Sequence, residues 1–437
     1  PNKILLLAFN KAAADELQER VHARLRAAEI RPDGVTASTF HSFGLKVIGE
    51  ATGKKPTVAP WVADGRSERE IGKIVKKLKD QDSDFAKAWD IYRLLFAKAP
   101  TEGPSAGSPD KYDRDTKRKG FETFKDETVK SEGERMIANW LFLHGVDYRY
   151  EERYRFDTAS ASHPQYRPDF YYPEIDIWHE HWALDRDGKP PKEFVGYEDG
   201  MRWKRSTHYK NQTTLIETTW AGIMWGNDFN SLEYDLKENG ASFNWDPQRA
   251  TPKKNVIEDA DLCRLIQTFM THVKSNSLTK KGIQKLLEGR MSHLSGTRTQ
   301  SFLHIFWPIH DEWNRRLATN NYIDFEDMLV NAAEHLEKQE AIYDYDLILV
   351  DEFQDASHAR ARLVKGLLQQ PNRHLLAVGD DWQSINRFAG ADISVMTKFE
   401  DWFGESLQTQ LTRTFRCTQE IADVSSHFIT KNPRQIK

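Results

Sequence analysis

The chain has 437 residues, with 62 Lys+Arg against 66 Asp+Glu and 39% apolar, 29% charged and 11% aromatic residues. Global disorder is excluded, and the net charge of −4 leaves any contact with nucleic acid to local patches. Two cysteines, Cys263 and Cys417, lie outside any CxxC or Cys/His spacing, which excludes a disulfide framework or structural zinc and points to a reducing, cytoplasmic setting.

No apolar run approaches the roughly 18 residues of a membrane span. The longest, Ile4–Phe9, predicts a parallel-sheet strand covered on both faces. Lys11–Ala28 follows at helical spacing, then a strand over Val35–Thr39 and a helix over Phe40–Gly49 capped from Ser38 or Thr39. Helical, charged segments (Glu68–Lys79, Phe85–Ala97) lead to a linker, Ala99–Pro109, and a basic run, Lys111–Lys130. A helix over Glu132–His144 ends at Gly145. Strands are predicted over Tyr148–Tyr154, Tyr166–Tyr172, Ile175–Trp182 and Thr213–Thr219, with a helix over Asp199–Lys210 between the last two. Residues 255–340 return to helices. Leu347–Val350 and Leu375–Val378 are short strands running straight into acidic residues. The first and last thirds share one α/β character, as if a large insertion divided a single domain.

The clearest chemistry sits after Leu347–Val350. Asp351 at a strand's carboxyl end can hold Mg²⁺ through water, and Glu352 can orient or deprotonate an attacking water. Past the next strand, Gln383 can sense a terminal phosphate and Phe388 can stack on a base. Five segments carry a resemblance: Ala8–Ala14, Thr39–Gly44, Asp351–Asp355, Gly379–Ala391 and Thr414-Phe415-Arg416. They stand in the order of the motifs of UvrD/Rep-type superfamily 1 DNA helicases, and their wording is most similar to the helicase IV branch. The resemblance implies a RecA-like P-loop motor domain on a parallel sheet. It gives Asp351 and Glu352 to Mg²⁺ and water activation, and Gln383 and Arg416 to the γ-phosphate of ATP. Phe9, Asn10, Lys11, His41 and Phe388 would face single-stranded DNA.

Some residues depart from that pattern. Asn386 replaces a usual tyrosine, and Ala389 an arginine of many relatives. No G-x-x-x-x-G-K-[ST] occurs. In the family this loop precedes the strand beginning here at Ile4, and the last motifs would follow Lys437. The expectation is an internal segment of a longer helicase that by itself binds ATP poorly and hydrolyses little or none.

In the middle, Glu134, Asp169 and Glu180 fall on a helix and two successive strands. A hairpin turning near Pro173–Asp176 would bring the two strand carboxylates together, able to hold hard divalent ions, Mg²⁺ or Mn²⁺. The element order resembles the PD-(D/E)xK nuclease core over roughly residues 120–222. Trp182 stands where that core has lysine, and Lys204 on the next helix is the expected substitute, stabilising the attacking hydroxide or the pentavalent phosphate. His179 and His181 are read as facing opposite sides of their strand, which argues against a shared zinc. Lys117-Arg118-Lys119 and the Met201–Lys210 helix, with Trp203 and Lys204, interleave cations and aromatics as a nucleic-acid surface does.

The expected organisation is motor domain over 1–49 and 341–437, helical insertion and linker over 50–115, a restriction-endonuclease-like α/β domain over 116–230, and helices returning to the motor over 231–340. The function implied by the resemblance is an ATP-dependent 3′–5′ DNA helicase or translocase acting on single-stranded or partly duplex DNA in repair or processing, with a metal-dependent nuclease beside it. The alternative is a non-catalytic DNA-binding or assembly module in which both sites have decayed.

Overall fold

The structure is a computed structural model, and it describes residues 3–97, 120–161, 163–246, 249, 257–289, 297–411 and 417–431. The linker Ala99–Pro109, Lys117-Arg118-Lys119 and Thr414-Phe415-Arg416 lie outside the described residues. The chain divides into two compact units. One joins residues 1–74, 263–284 and 310–437, and the other joins 75–262 and 285–309.

The first unit opens with β1 (Ile4–Ala8), α1 (Lys11–Ala27), β2 (Val35–Thr39) and α2 (Phe40–Thr52). The second carries α3 (Glu132–His144), β3 (Arg149–Tyr150), β4 (Phe170–Tyr172), β5 (Ile177–Trp182), α4 (Tyr197–Lys210) and β6 (Leu215–Thr219). The chain returns to the first unit with α5 (Phe325–Glu337), β7 (Leu347–Val350), α6 (His358–Leu367) and β8 (His374–Ala377).

Among the described residues the first unit's main sheet is parallel throughout, in the order β8-β7-β1-β2. β1 sits inside it, which is why its run is apolar at every position. Leu5 pairs with Ile348 and Leu7 with Val350, and all four are buried. Helices α2, α5 and α6 cover this sheet with Phe40, Phe43, Leu329 and Leu363. The expected cap is found at Thr39, whose Oγ1 accepts from the Ser42 N–H at 3.1 Å.

In the second unit, β3, β4 and β5 run antiparallel and β6 lies parallel to β5. β4 and β5 are joined through the expected turn, with Asp176 at φ 55°. Helix α3 begins at Ser131 and stops at Gly145, whose φ of 67° suits the left-handed cap that glycine adopts without a Cβ penalty.

Several expectations are corrected. The strand near Tyr148 is shorter than predicted, because Glu151 at φ 49° leaves the extended region right after Tyr150, and the strand expected from Tyr166 begins only at Phe170. The helix after Phe85 turns π-helical over Tyr92–Phe96. His179 and His181 share one face of β5, since two residues make one full strand period. His179 Nε2 and His181 Nδ1 lie 2.8 and 2.9 Å from the same Thr218 Oγ1, and burial pushes both imidazoles down to about 3.

Candidate functional site

The parallel sheet delivers its chemistry at the carboxyl ends of its strands, where ligands bind in open α/β sheets. Asp351 directly follows β7, with its N–H on the Leu7 carbonyl. Glu352 adopts a left-handed conformation at φ 51°, ψ 41°, an uncommon state for a residue with a Cβ. Its carboxylate accepts from Gln354 Nε2 at 2.6 Å, while Gln354 Oε1 accepts from the Asp380 N–H at 3.0 Å. Asp380 Oδ2 in turn accepts from Gln383 Nε2 at 2.7 Å. A polar relay thus connects the acidic turns after β7 and β8. Gly379 lets these turns meet: a Cβ there would lie 2.7 Å from Gln354 Oε1 and 3.0 Å from its backbone nitrogen.

The same turn leads to a groove of about 540 Å³ lined by His41, Arg264, Phe325, Glu326, Arg360 and Phe388, with Ala389 at its wall. Phe388 is 67% exposed, presenting a free aromatic face. It rides on a short turn fixed by Asn386, whose Nδ2 donates to Asp355 Oδ2 at 2.7 Å. The asparagine that replaces a usual tyrosine therefore ties this turn to the acidic one. His41 packs edge-on against Phe325, and burial, then Arg360, lowers its imidazole to about 4. It is neutral at ordinary pH. Phe9 is committed elsewhere, with its ring edge-on to Phe40 at 5.2 Å and Arg360 over its face. Asn10 caps α1, accepting from the Ala13 N–H at 2.8 Å, and Lys11 opens that helix exposed to solvent. Arg416 lies outside the described residues.

In the second unit, Asp169 immediately precedes β4, Glu180 lies on the neighbouring β5 and Lys204 on α4. Lys204 Nζ lies 2.6 Å from Glu180 Oε2, and Tyr166 donates to Glu180 Oε1 at 2.7 Å. Asp169 Oδ2 accepts from the His181 N–H at 2.7 Å. Glu134 takes Ser131 Oγ on one oxygen and Tyr150 OH and the Lys130 N–H on the other. Burial, then the neighbouring Asp169, pushes Glu180 up to about 8; burial also raises Asp169. Burial opposes the Lys204 ammonium, but Glu180 and Asp169 outweigh it and hold its pKa above the usual lysine value.

Among the described residues no group of three or more His, Cys, Asp or Glu side chains is arranged to hold a metal ion. Glu134, Asp169 and Glu180 are engaged by protein donors, with the Lys204 ammonium where cationic compensation is needed. Trp203, expected on a DNA surface, stacks on His163 at 4.3 Å and packs against Tyr166.

The sequence model of the UvrD/REP helicase N-terminal domain matches residues 1–165 and 174–404. The chain belongs to this family. The UvrD/REP match runs through both units and omits 166–173, the stretch that contains Asp169. DNA helicase IV of Escherichia coli (strain K12) is 42% identical over 131 residues, covering 30% of this chain and 19% of that protein. ATP-dependent DNA helicase PcrA of Staphylococcus aureus is 24% identical over 250 residues, 52% of this chain and 32% of that protein. The chain thus spans about a fifth to a third of these UvrD-like relatives.

Sequence reasoning missed Arg360, Glu326 and Phe325. His358-Ala359-Arg360-Ala361-Arg362 reads as a charged helix face, and only the packing of α6 against α5, which itself packs on α2, turns one of its arginines into the groove. Among the described residues no helix is long and apolar enough to cross a membrane.

Proposed function

We propose that this chain is part of an ATP-dependent DNA helicase or translocase that moves 3′ to 5′ on single-stranded DNA in repair or processing. The observation that carries the reading is the convergence of Asp351, Glu352 and the Gln383 relay on the carboxyl edge of one parallel sheet, next to a groove with an exposed aromatic. These donors suit a nucleotide and Mg²⁺: Asp351 would hold the ion through water, and the ion would neutralise charge developing on the phosphates. Glu352, oriented by Gln354, would position the attacking water and take its proton. Gln383, tied through Asp380 and Gln354 to Glu352, would report the terminal phosphate to the turn bearing Phe388. Arg416 would add positive charge at that phosphate. His41 and Phe388 would stack bases without reading sequence, each stacked base contributing about 1–3 kcal/mol.

In the second unit, the order α3-β3-β4-β5-α4-β6 and the pairing of Lys204 with Glu180 support an endonuclease-like core. The carboxylates' existing partners do not fit a divalent ion as arranged, so no cleavage step is derived through one. The alternative, a DNA-gripping module with a decayed site, is favoured by the protein hydrogen bonds that already engage Glu180 and Glu134. Cleavage of DNA in Mg²⁺ or Mn²⁺ that is lost in Asp169→Ala and Glu180→Ala would establish the nuclease; no cleavage by wild type would leave the gripping role.

The motor reading is tested by DNA-stimulated ATP hydrolysis in the whole protein that contains these residues. Glu352→Gln is expected to lower turnover by about 10²-fold or more while nucleotide binding persists. A wild-type protein with no DNA-stimulated turnover, or a variant of unchanged rate, overturns it.

A further inference from the structure

The groove beside His41 contains a cation that the chain does not fully satisfy. Arg360 stands in the first turn of α6, with its guanidinium 4.9 Å from the centroid of Phe9 and 6.0 Å from that of Phe40. Its Nη1 donates to the Asp355 carbonyl at 3.2 Å. Its Nε is buried and has no hydrogen-bond partner, an arrangement that costs free energy unless something else compensates it. Glu326 and Asp355 act on the guanidinium at longer range, while burial opposes its charge. The other arginine of the groove, Arg264, is paired with Glu68 at 3.3 Å. Glu326 also lines the groove, but it accepts from Ser275 Oγ, and burial raises its pKa, so it repels an anion less than an exposed glutamate would.

Aromatic faces for bases and one under-compensated guanidinium for a phosphate are the two elements of sequence-blind single-strand binding. We propose that Arg360 contacts a backbone phosphate of single-stranded DNA in this groove, beside His41 and Phe388. The aromatic faces of Phe9 and Phe40 hold the guanidinium in place when the groove is empty. The phosphate then supplies the counter-charge that the protein lacks. Its fork is anchored at one end on Asp355, so the strand would be held next to the acidic turn that carries Glu352.

The proposal rests on reading the groove as a single-strand channel, and its test separates the two. Binding of a fluorescein-labelled oligo(dT) by the 437-residue chain is followed by anisotropy between about 50 and 200 mM salt. Each phosphate contact on a single strand contributes about 0.7 to the slope of log affinity against log salt. Arg360→Met is expected to weaken binding several-fold and to reduce that slope by about 0.7, whereas Arg360→Lys, which keeps the charge, retains most of the slope. Phe388→Ala is expected to weaken binding about tenfold with the slope unchanged. Thermal unfolding establishes that each variant is folded; if Arg360→Met is not, Arg360→Gln reads the same slope. A folded, uncharged Arg360 variant with the wild-type slope overturns the assignment of Arg360 while leaving the channel intact. No binding by wild type, or unchanged binding by both Phe388→Ala and His41→Ala, overturns the channel and the assignment with it.

Discussion

At the residue scale, the two sites set their carboxyl groups in opposite surroundings. Glu352 is exposed and oriented by one hydrogen bond from a neighbouring side chain, which suits a base that must meet water. Glu180 is sealed from solvent and shares its site with Asp169, Lys204 and Tyr166. Its folded pKa of about 8 lies above the ordinary 4.5, so the folded state holds a proton that the unfolded state releases. Stability from this group is therefore fully present below about pH 4.5 and declines as pH rises towards about 8, by at most about 1.4 kcal/mol per pH unit. Urea unfolding of the wild type is expected to show this decline, and Glu180→Gln to flatten it. Equal pH slopes in both proteins would count against the buried proton.

At the element scale, caps and close approaches decide where functional groups stand. Thr39 ends β2 and caps α2, so His41 enters the groove from a helix whose start is fixed within one residue. Thr39→Ala is expected to cost about 1 kcal/mol in chemical denaturation and to weaken oligo(dT) binding through His41; a stability loss below the error of the fit would contradict the cap's role. Asn10 shows why a motif residue needs the structure to interpret it. Its side chain is occupied as an N-cap, so damage from replacing it mixes lost stability with any lost contact. Gly379 has a steric reason of its own, because the turns after β7 and β8 could not exchange hydrogen bonds around a Cβ.

At the scale of the whole molecule, each constellation draws its residues from one unit: Asp351, Glu352, Gln383, His41 and Phe388 from the first, Glu134, Asp169, Glu180 and Lys204 from the second. Their chemistries are expected to be separable. Glu352→Gln should leave any DNA cleavage unchanged, and Asp169→Ala should leave DNA-stimulated ATP hydrolysis unchanged, both read in the same preparations of the whole protein. Loss of both activities in either variant would contradict that separation. The near-neutral net charge fits this picture, because acidic clusters in both units offset the cations that line the groove and α4.

By itself the sequence determined the parallel strands, the helix caps and the acidic strand ends. These follow from local physics: an uninterrupted apolar run means burial on both faces, and a threonine or serine before a helix offers an oxygen to free N–H groups. The resemblance to a nuclease core also brought Lys204 into consideration, as the substitute for the lysine that core has where Trp182 stands; its contact with Glu180 came from the fold. The tertiary structure alone decided which oxygens remain free. It engaged Glu134, Asp169 and Glu180 with protein donors, placed His179 and His181 on one face, and drew Phe9 towards Phe40. It also brought Arg360 from an unremarkable charged helix into the groove. Spacing along a chain fixes which face a residue occupies, but hydrogen-bond satisfaction and burial depend on what another element, distant in sequence, packs against that face.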